Sequence, residues 1–390
     1  MPILLEEDLQ RPLPRMYRVR QQFDETRLED VAGTVRAELA NPEIRALVKP
    51  GMRIAVGVGS RGVQNLYTIV ETTVNSLKEL GAEPFIVSAM GSHGGGTEEG
   101  QREVLAGYGI TEERLGVPVV TTVDTVYLGN CANGRPVWFD RAAYEADLIV
   151  PINRVKLHTD FVGPIQSGLC KMLVIGLGNH KGCSAVHEEA PEVFADAIEE
   201  TARLILQKAP VGFGIAILEN AYDKTYAVEA VPAEHLVERE KELVQIAKGN
   251  MPYIMLDEAD VIVCGAIGKD ISGAGFDPNI LGRSSVLKQF VLHIPRYQRL
   301  VLCDVTPASH GNGIGVGLFD VITKKVAEQL DLESMYANAI ACNCLGDASV
   351  PCTVDDEETA IRVALKCCRN IDRDHPRIIR IQNTLHLGEI

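Results

Sequence analysis

Short apolar runs alternate along this chain with amphipathic stretches of helical period, and that alternation restricts the fold more than any other feature. Arg53–Val58 (RIAVGV) is an almost unbroken apolar run, as a strand buried on both faces requires. Leu66–Leu80 then carries apolar residues at Leu66, Ile69, Val70, Val74, Leu77 and Leu80, close to the 3.6-residue period, and Gly81 ends it as a helix C-cap. Pro84–Met90 is the next strand, and Val117–Val123, Asp147–Ile152 and Phe213–Leu218 repeat the pattern, with helices over Glu192–Leu206 and Glu234–Ala247. A second set follows: strands at Val261–Cys264, Leu300–Asp304, Ala339–Cys342 and Ile378–Gln382, helices at Phe319–Leu330 and Glu357–Cys368. The expected class is α/β, with parallel strands joined by helical crossovers. At 390 residues the chain exceeds one ordinary core. It therefore reads as two α/β domains with mainly parallel sheets, over 1–250 and 258–390, with a hinge around Lys248–Leu256 and a cleft over which the second domain closes.

The charge balance, 53 acidic against 38 basic side chains, gives a formal net charge of −15 and argues against a general nucleic-acid binder. An anionic substrate then needs a local pocket of positive charge. No run of 18 apolar residues predicts a membrane span, and MPILLEEDLQRPLPRMYRV lacks the basic start and apolar core of a signal peptide, so the expected location is cytoplasmic. The ten cysteines form no CxxC pair and no His-spaced zinc pattern, Cys342, Cys344 and Cys352 being the one cluster; they read as buried thiols in a reducing compartment.

Parallel sheets bind ligands in the loops after the carboxyl ends of their strands, and most of the chemically equipped segments lie there. Gly57-Val58-Gly59-Ser60-Arg61-Gly62 follows the first strand; its glycines allow close approach, and Arg61 is suited to hold a carboxylate through two parallel hydrogen bonds, although a plain turn with a solvated Arg fits as well. It is not a dinucleotide fingerprint, because no third Gly falls before the helix. Gly91-Ser92-His93-Gly94-Gly95-Gly96-Thr97 follows the next strand. It sets an exposed His, with a pKa suited to proton transfer, before a helix start at Thr97, Glu98 and Glu99. Pro151–Leu173 gathers Arg154, Lys156, His158 and Lys171 in an otherwise acidic protein. Lys171, set among Leu169, Cys170, Met172 and Leu173, reads as a desolvated amine and hence a nucleophile rather than a snorkelling surface base. His187 precedes the Glu192–Leu206 helix; a lone His there is more often structural, and His180 is weaker still.

Taken together, His93, His158, Lys171 and His187, in this order and with His187 sixteen residues after Lys171, resemble the nickel-dependent lactate racemase family. The match runs from about Ile54 to Glu188 and continues as general layout. The resemblance implies a racemase or epimerase of a small 2-hydroxy acid using a nickel-pincer nucleotide (pyridinium-3-thioamide-5-thiocarboxylic acid mononucleotide with Ni), made by separate cofactor-biosynthesis proteins. The N-terminal domain would hold this cofactor. Lys171 would be the thioamide tether, His187 the nickel ligand, His93 and His158 the groups exchanging the hydroxyl proton, and Arg61 the carboxylate partner. Two departures bear on the substrate. The first loop has Val58-Gly59-Ser60-Arg61-Gly62 where the family's lactate enzymes resemble Asp-x-Thr-Arg-Pro. The second-domain segment Gly268–Asn279 lacks the usual Tyr-Gln pair, with Lys269 as the cation on offer. Both point to a larger or more polar hydroxy acid, such as malate or an aldonate. Three other readings stay open: a metal-free lysine Schiff-base enzyme on Lys171, a non-catalytic cofactor-binding protein, and a zinc hydrolase using His93, His158 and His187.

Overall fold

The computed structural model describes residues 3–60 and 62–390. The chain divides into two compact units: Asp24–Met251, and Pro252–Ile390 together with the residues up to Phe23.

The 24–251 unit is built on a six-stranded sheet in the order β3-β2-β1-β6-β7-β8. Its strands are β1 (Arg53–Val58), β2 (Glu83–Ser88), β3 (Val119–Val120), β6 (Leu148–Arg154), β7 (Phe213–Glu219) and β8 (Thr225–Pro232), with β4 (Thr125–Asn130) and β5 (Pro136–Asp140) forming a separate antiparallel hairpin. All sheet pairs are parallel except β7 with β8. β1 is buried at every position but its first, and its Ile54, Val56 and Val58 lie in one core with Ile69, Val70, Val74 and Leu77 of the Leu66–Glu79 helix. Each such side chain contributes about 1.5–3 kcal/mol on burial, which is what holds this amphipathic stripe to the sheet. Gly81, just past the helix, has φ +84°, the left-handed conformation that the predicted cap needs.

The strand order positions the site. From β1 the chain winds outward one way through β2 and β3, then returns to add β6, β7 and β8 on the other side. Val58 sits beside Ser88 on β2 and Ile152 on β6. The loops after β1 and β6 thus leave neighbouring strands at the point where the winding reverses, where open parallel sheets form their binding crevice.

The other unit holds a five-stranded, wholly parallel sheet, β12-β11-β10-β9-β13. Here β9 is Val261–Cys264, β10 Arg299–Leu302, β11 Val321–Thr323, β12 Cys352–Val354 and β13 Ile378–Ile381. The N-terminal segment is pinned to this unit by Val19 N–H to the Ile390 carbonyl (2.7 Å) and by buried Gln21, whose amide donates to the Leu387 carbonyl (2.7 Å).

Three expectations fail here. Ala339–Cys342 is no strand: Leu332–Ala341 is a helix that buries Met335 and Ala339 and exposes Tyr336 and Ile340, so the apolar run belongs to a helical stripe. Phe319–Leu330 is not one helix: the β-branched Val321-Ile322-Thr323 forms an interior strand, and only Lys324–Gln329 is helical. Val117–Val123 contracts to the edge pair Val119–Val120. The ten cysteines are all free, but Cys342, Cys352 and Cys367 are exposed. Among the described residues no helix is long and apolar enough to cross a membrane.

Candidate active site

The segment after β6 carries most of the site. Lys156 and Ser167 pair through both backbone groups (2.9 and 3.2 Å) and close residues 157–166 into a loop. Buried Gln166 braces it from inside, accepting the His158 N–H (2.7 Å) and donating to the Gly163 carbonyl (3.2 Å). Asn153 donates to the Gly168 carbonyl (2.7 Å), fixing where the chain enters the next helix. That helix begins at Leu169, places Lys171 in its first turn and widens to π geometry over Met172–Gly176, a distortion that recurs at functional sites. The Asn179–His187 helix follows.

His158 and Lys171 meet: Lys171 Nζ is hydrogen-bonded to His158 Nε2, and both residues are half-buried. At the other ring nitrogen, the Asp160 backbone N–H donates to His158 Nδ1 (3.1 Å). The imidazole stacks on Phe161 (ring centroids 4.3 Å apart), Phe161 packs on Phe194 (4.8 Å), and Phe194 meets the edge of His187 (5.2 Å). An aromatic row therefore links His158 to His187.

His93 arrives from the loop after β2. Its Nδ1 is hydrogen-bonded to Ser60 Oγ on the loop after β1, and Tyr108 donates to the Ser60 carbonyl (2.8 Å). Buried Gln101 supports the loop from beneath, donating to the carbonyls of Gly91 (3.2 Å) and His93 (3.4 Å) and accepting from Ser88 Oγ (2.6 Å). Gly91 N–H donates to the Gly176 carbonyl (3.0 Å); a Cβ on Gly91 would stand 2.9 Å from the Ile175 carbonyl oxygen, so this loop needs glycine to lie against the π turn.

His187 Nδ1 lies 2.7 Å from the Cys183 carbonyl and 3.5 Å from the Cys183 thiol, which in turn is 3.9 Å from Ser92 Oγ. The hydrogen bond to the Cys183 side chain raises the His187 pKa above its ordinary value, against the effect of burial. Beneath Lys171, the fully buried Glu240 carboxylate accepts the Cys170 N–H (2.9 Å) and faces the Leu169 amide. Its burial pushes the carboxyl up from 4.5 to about 7, against the lowering effect of those amides.

The structure joins His158 to Lys171 directly and to His187 through Phe161 and Phe194, while His93 stands on a loop that meets the same helices through Gly91–Gly176 and Ser92–Cys183. Arg61 lies outside the described residues. Arg154 is drawn away by Glu219, whose other oxygen accepts the Gln64 N–H (2.7 Å). Lys269 belongs to the other unit, where its Nζ donates to the Gly273 carbonyl (2.7 Å) and to Asn338 Oδ1. Among the described residues, His93, His158 and His187 do not bring three ligand atoms within 4.8 Å of one another, which weighs against the zinc hydrolase. Ser60, Phe161, Phe194, Gln101 and Glu240 were not singled out from the sequence. Only Ser60 carried a signal, its place in a strand-end loop.

A mainly parallel α/β sheet thus carries one lysine and three histidines on the loops and helices that follow β2 and β6. Residues 11–196 match the lactate racemase N-terminal domain. The chain superposes on the lactate racemase apoprotein from Thermoanaerobacterium thermosaccharolyticum with a TM-score of 0.55 at 13% identity, covering 94% of each chain. It also superposes on a protein from Thermotoga maritima with a TM-score of 0.53 at 12% identity, covering 91% of this chain and 97% of that one. No curated protein matches in sequence. Residues 11–196 thus form a domain of lactate racemase type, and the chain shares the fold of that apoprotein.

Proposed function

We propose that this chain racemises or epimerises a small 2-hydroxy acid, with malate or an aldonate favoured over lactate. The observation that supports it most is the meeting of Lys171, at its helix start, with His158 of the loop after β6, inside the lactate racemase N-terminal domain.

The residues present fit the nickel-pincer nucleotide. Lys171 offers a half-buried amine in the first turn of its helix, suited to a covalent tether. The His187 Nδ1–H donates to the Cys183 carbonyl, which fixes the tautomer and leaves the Nε2 lone pair for a metal. Imidazole beside sulfur donors suits nickel. When bound, the group supplies the acceptor that takes the C2 hydride and returns it.

The protein's own residues handle the proton. With Nδ1–H of His93 donated to Ser60 Oγ, its Nε2 lone pair can take the substrate hydroxyl proton. His158, which accepts the Asp160 N–H at Nδ1, carries its hydrogen on Nε2 and can return one to the carbonyl oxygen from the other side. One base and one acid are what inversion through a planar 2-keto acid requires. Phe161, stacked on His158 and backed by Phe194, covers one face of that imidazole.

The test is co-production with the cofactor-making enzymes and nickel, peptide mass at Lys171, then racemisation across a 2-hydroxy acid panel. A mononucleotide-sized adduct on Lys171 with about one nickel per chain, and activity on malate or an aldonate, supports the reading. An unmodified Lys171, in cells where a control racemase loads, overturns it. The Lys171 amine beside His158 also favours one other reading, a Schiff-base enzyme; borohydride trapping of a 2-keto acid on metal-free protein is its test.

A further inference from the structure

The His158–Lys171 contact carries information about hydrogens. The Asp160 backbone N–H is an obligatory donor, and it points at His158 Nδ1 (3.1 Å). That nitrogen therefore presents its lone pair, and a neutral imidazole with an acceptor at Nδ1 bears its hydrogen at Nε2. Nε2 is the atom bonded to Lys171 Nζ. An ammonium has three donors and no acceptor, so it has nothing to offer an Nε2–H; an amine has a lone pair. We propose that His158, its tautomer fixed by the Asp160 amide, holds Lys171 as the neutral amine in the unloaded chain, so that the tether is ready for acylation before any cofactor arrives. This deepens the proposed function, on which its biological use rests, but the chemistry concerns the empty protein alone. Acylating Lys171 withdraws its lone pair into the new amide-type bond and frees His158 Nε2–H for substrate, which orders the two tasks of this histidine in time.

Titratable groups near the pair include His187 and Cys183 on the following helix, Asp160 (4.0 Å from His158 Nδ1) and Glu240 beneath Cys170. Asp160 approaches the imidazole at the nitrogen away from Lys171.

The test is competitive acetylation of the protein made without the cofactor enzymes, using N-acetoxysuccinimide and peptide mass, from pH 6 to 9. Nζ forms a bond to the ester carbonyl carbon, the C–O bond to hydroxysuccinimide breaks with its electron pair, and the surplus amine proton passes to water. Exposed Lys208 is the internal reference. The expected result is a Lys171 rate nearly flat from pH 7 to 9, where an unperturbed lysine amine gains about tenfold per pH unit. Asp160→Pro deletes the fixing amide, and His158→Phe deletes the ring nitrogens but keeps an aromatic ring against Phe161; both should restore the tenfold rise at Lys171, and Asp160→Asn should not. A wild-type Lys171 that tracks Lys208 throughout overturns the proposal, and that measurement needs no variant to fold. A flat Lys171 profile in a protein that never acquires nickel or adduct would keep this inference and remove the pincer reading.

Discussion

Glu240→Gln should make the 24–251 unit more stable at alkaline pH, and the size of the effect follows from where the carboxyl sits. Glu240 is wholly buried on the Leu236–Asn250 helix, with Cys170 N–H as a partner at 2.9 Å. Its folded pKa is about 7 against 4.5 for the model carboxyl. Between those values the folded chain keeps a proton that the unfolded chain releases, so stability is highest below pH 4.5 and falls as pH rises through about 7. The interval of about 2.5 pH units, at 1.36 kcal/mol each, corresponds to about 3 kcal/mol. Glutamine keeps an oxygen for the Cys170 N–H and cannot ionise. Its extra N–H groups cost about 1–2 kcal/mol wherever they find no partner, but at every pH alike. The change with pH is therefore the diagnostic quantity. Urea unfolding followed at Trp138, the only tryptophan and a β5 residue of this unit, would be run from pH 5 to 8.5. The difference between variant and wild type should move by about 2–3 kcal/mol in favour of glutamine across that range. Other carboxyls, including Asp140 (pushed by burial to about 6), cancel in the difference. Parallel stability curves would refute the reasoning, because they would mean that Glu240 ionises no differently in the folded chain.

Gly168→Ala should destabilise this unit by about 1–3 kcal/mol in the same assay, since its Cβ would stand 2.5 Å from the Glu240 carboxyl carbon, and Glu240→Ala should relieve most of that cost. Ser60→Ala should lower turnover of the loaded enzyme by up to about 10²-fold, because His93 loses the partner that orients its ring, while the melting temperature stays unchanged; an unaltered rate would remove Ser60 from the proposed mechanism. His187→Ala should lose nickel, measured by elemental analysis, yet retain the adduct on Lys171, separating metal from tether; full nickel in the variant would show that another residue is the ligand.

The central strands and their helices were legible because burial on both faces leaves a continuous apolar run, as in Arg53–Val58, and burial on one face leaves a 3.6-residue stripe, as in Leu66–Glu79. Ala339–Cys342 misled because four residues are too few to separate the two periods. β8 and the β4–β5 hairpin went unseen because half-buried antiparallel strands mix polar with apolar positions. In the site, His93, His158 and Lys171 announce themselves by chemistry at strand ends. Their partners do not: Ser60 lies 33 residues from His93 and Glu240 lies 70 from Cys170, so only the folded sheet and helix packing bring them together.

The arrangement divides labour between two kinds of backbone. The groups assigned to the cofactor, Lys171 and His187, lie on helices rooted by buried contacts: Glu240 at the helix start, Phe194 against the His187 ring. The groups assigned to substrate on the other side, His93 and Ser60, lie on loops after β1 and β2 that touch those helices through narrow contacts, the Gly91–Gly176 bond and the Ser92–Cys183 pair. Loops tolerate sequence change because little packing depends on them, whereas a helix start capped by a buried carboxylate does not. A change such as Val58-Gly59-Ser60 in the first loop can thus retune which hydroxy acid is held without disturbing the tether. By that logic, exchanging residues 58–62 for an Asp-x-Thr-Arg-Pro sequence should shift the preferred substrate towards lactate and leave Lys171 loading intact. Loss of loading in the exchange would show that the two halves are coupled through the glycine contact rather than independent.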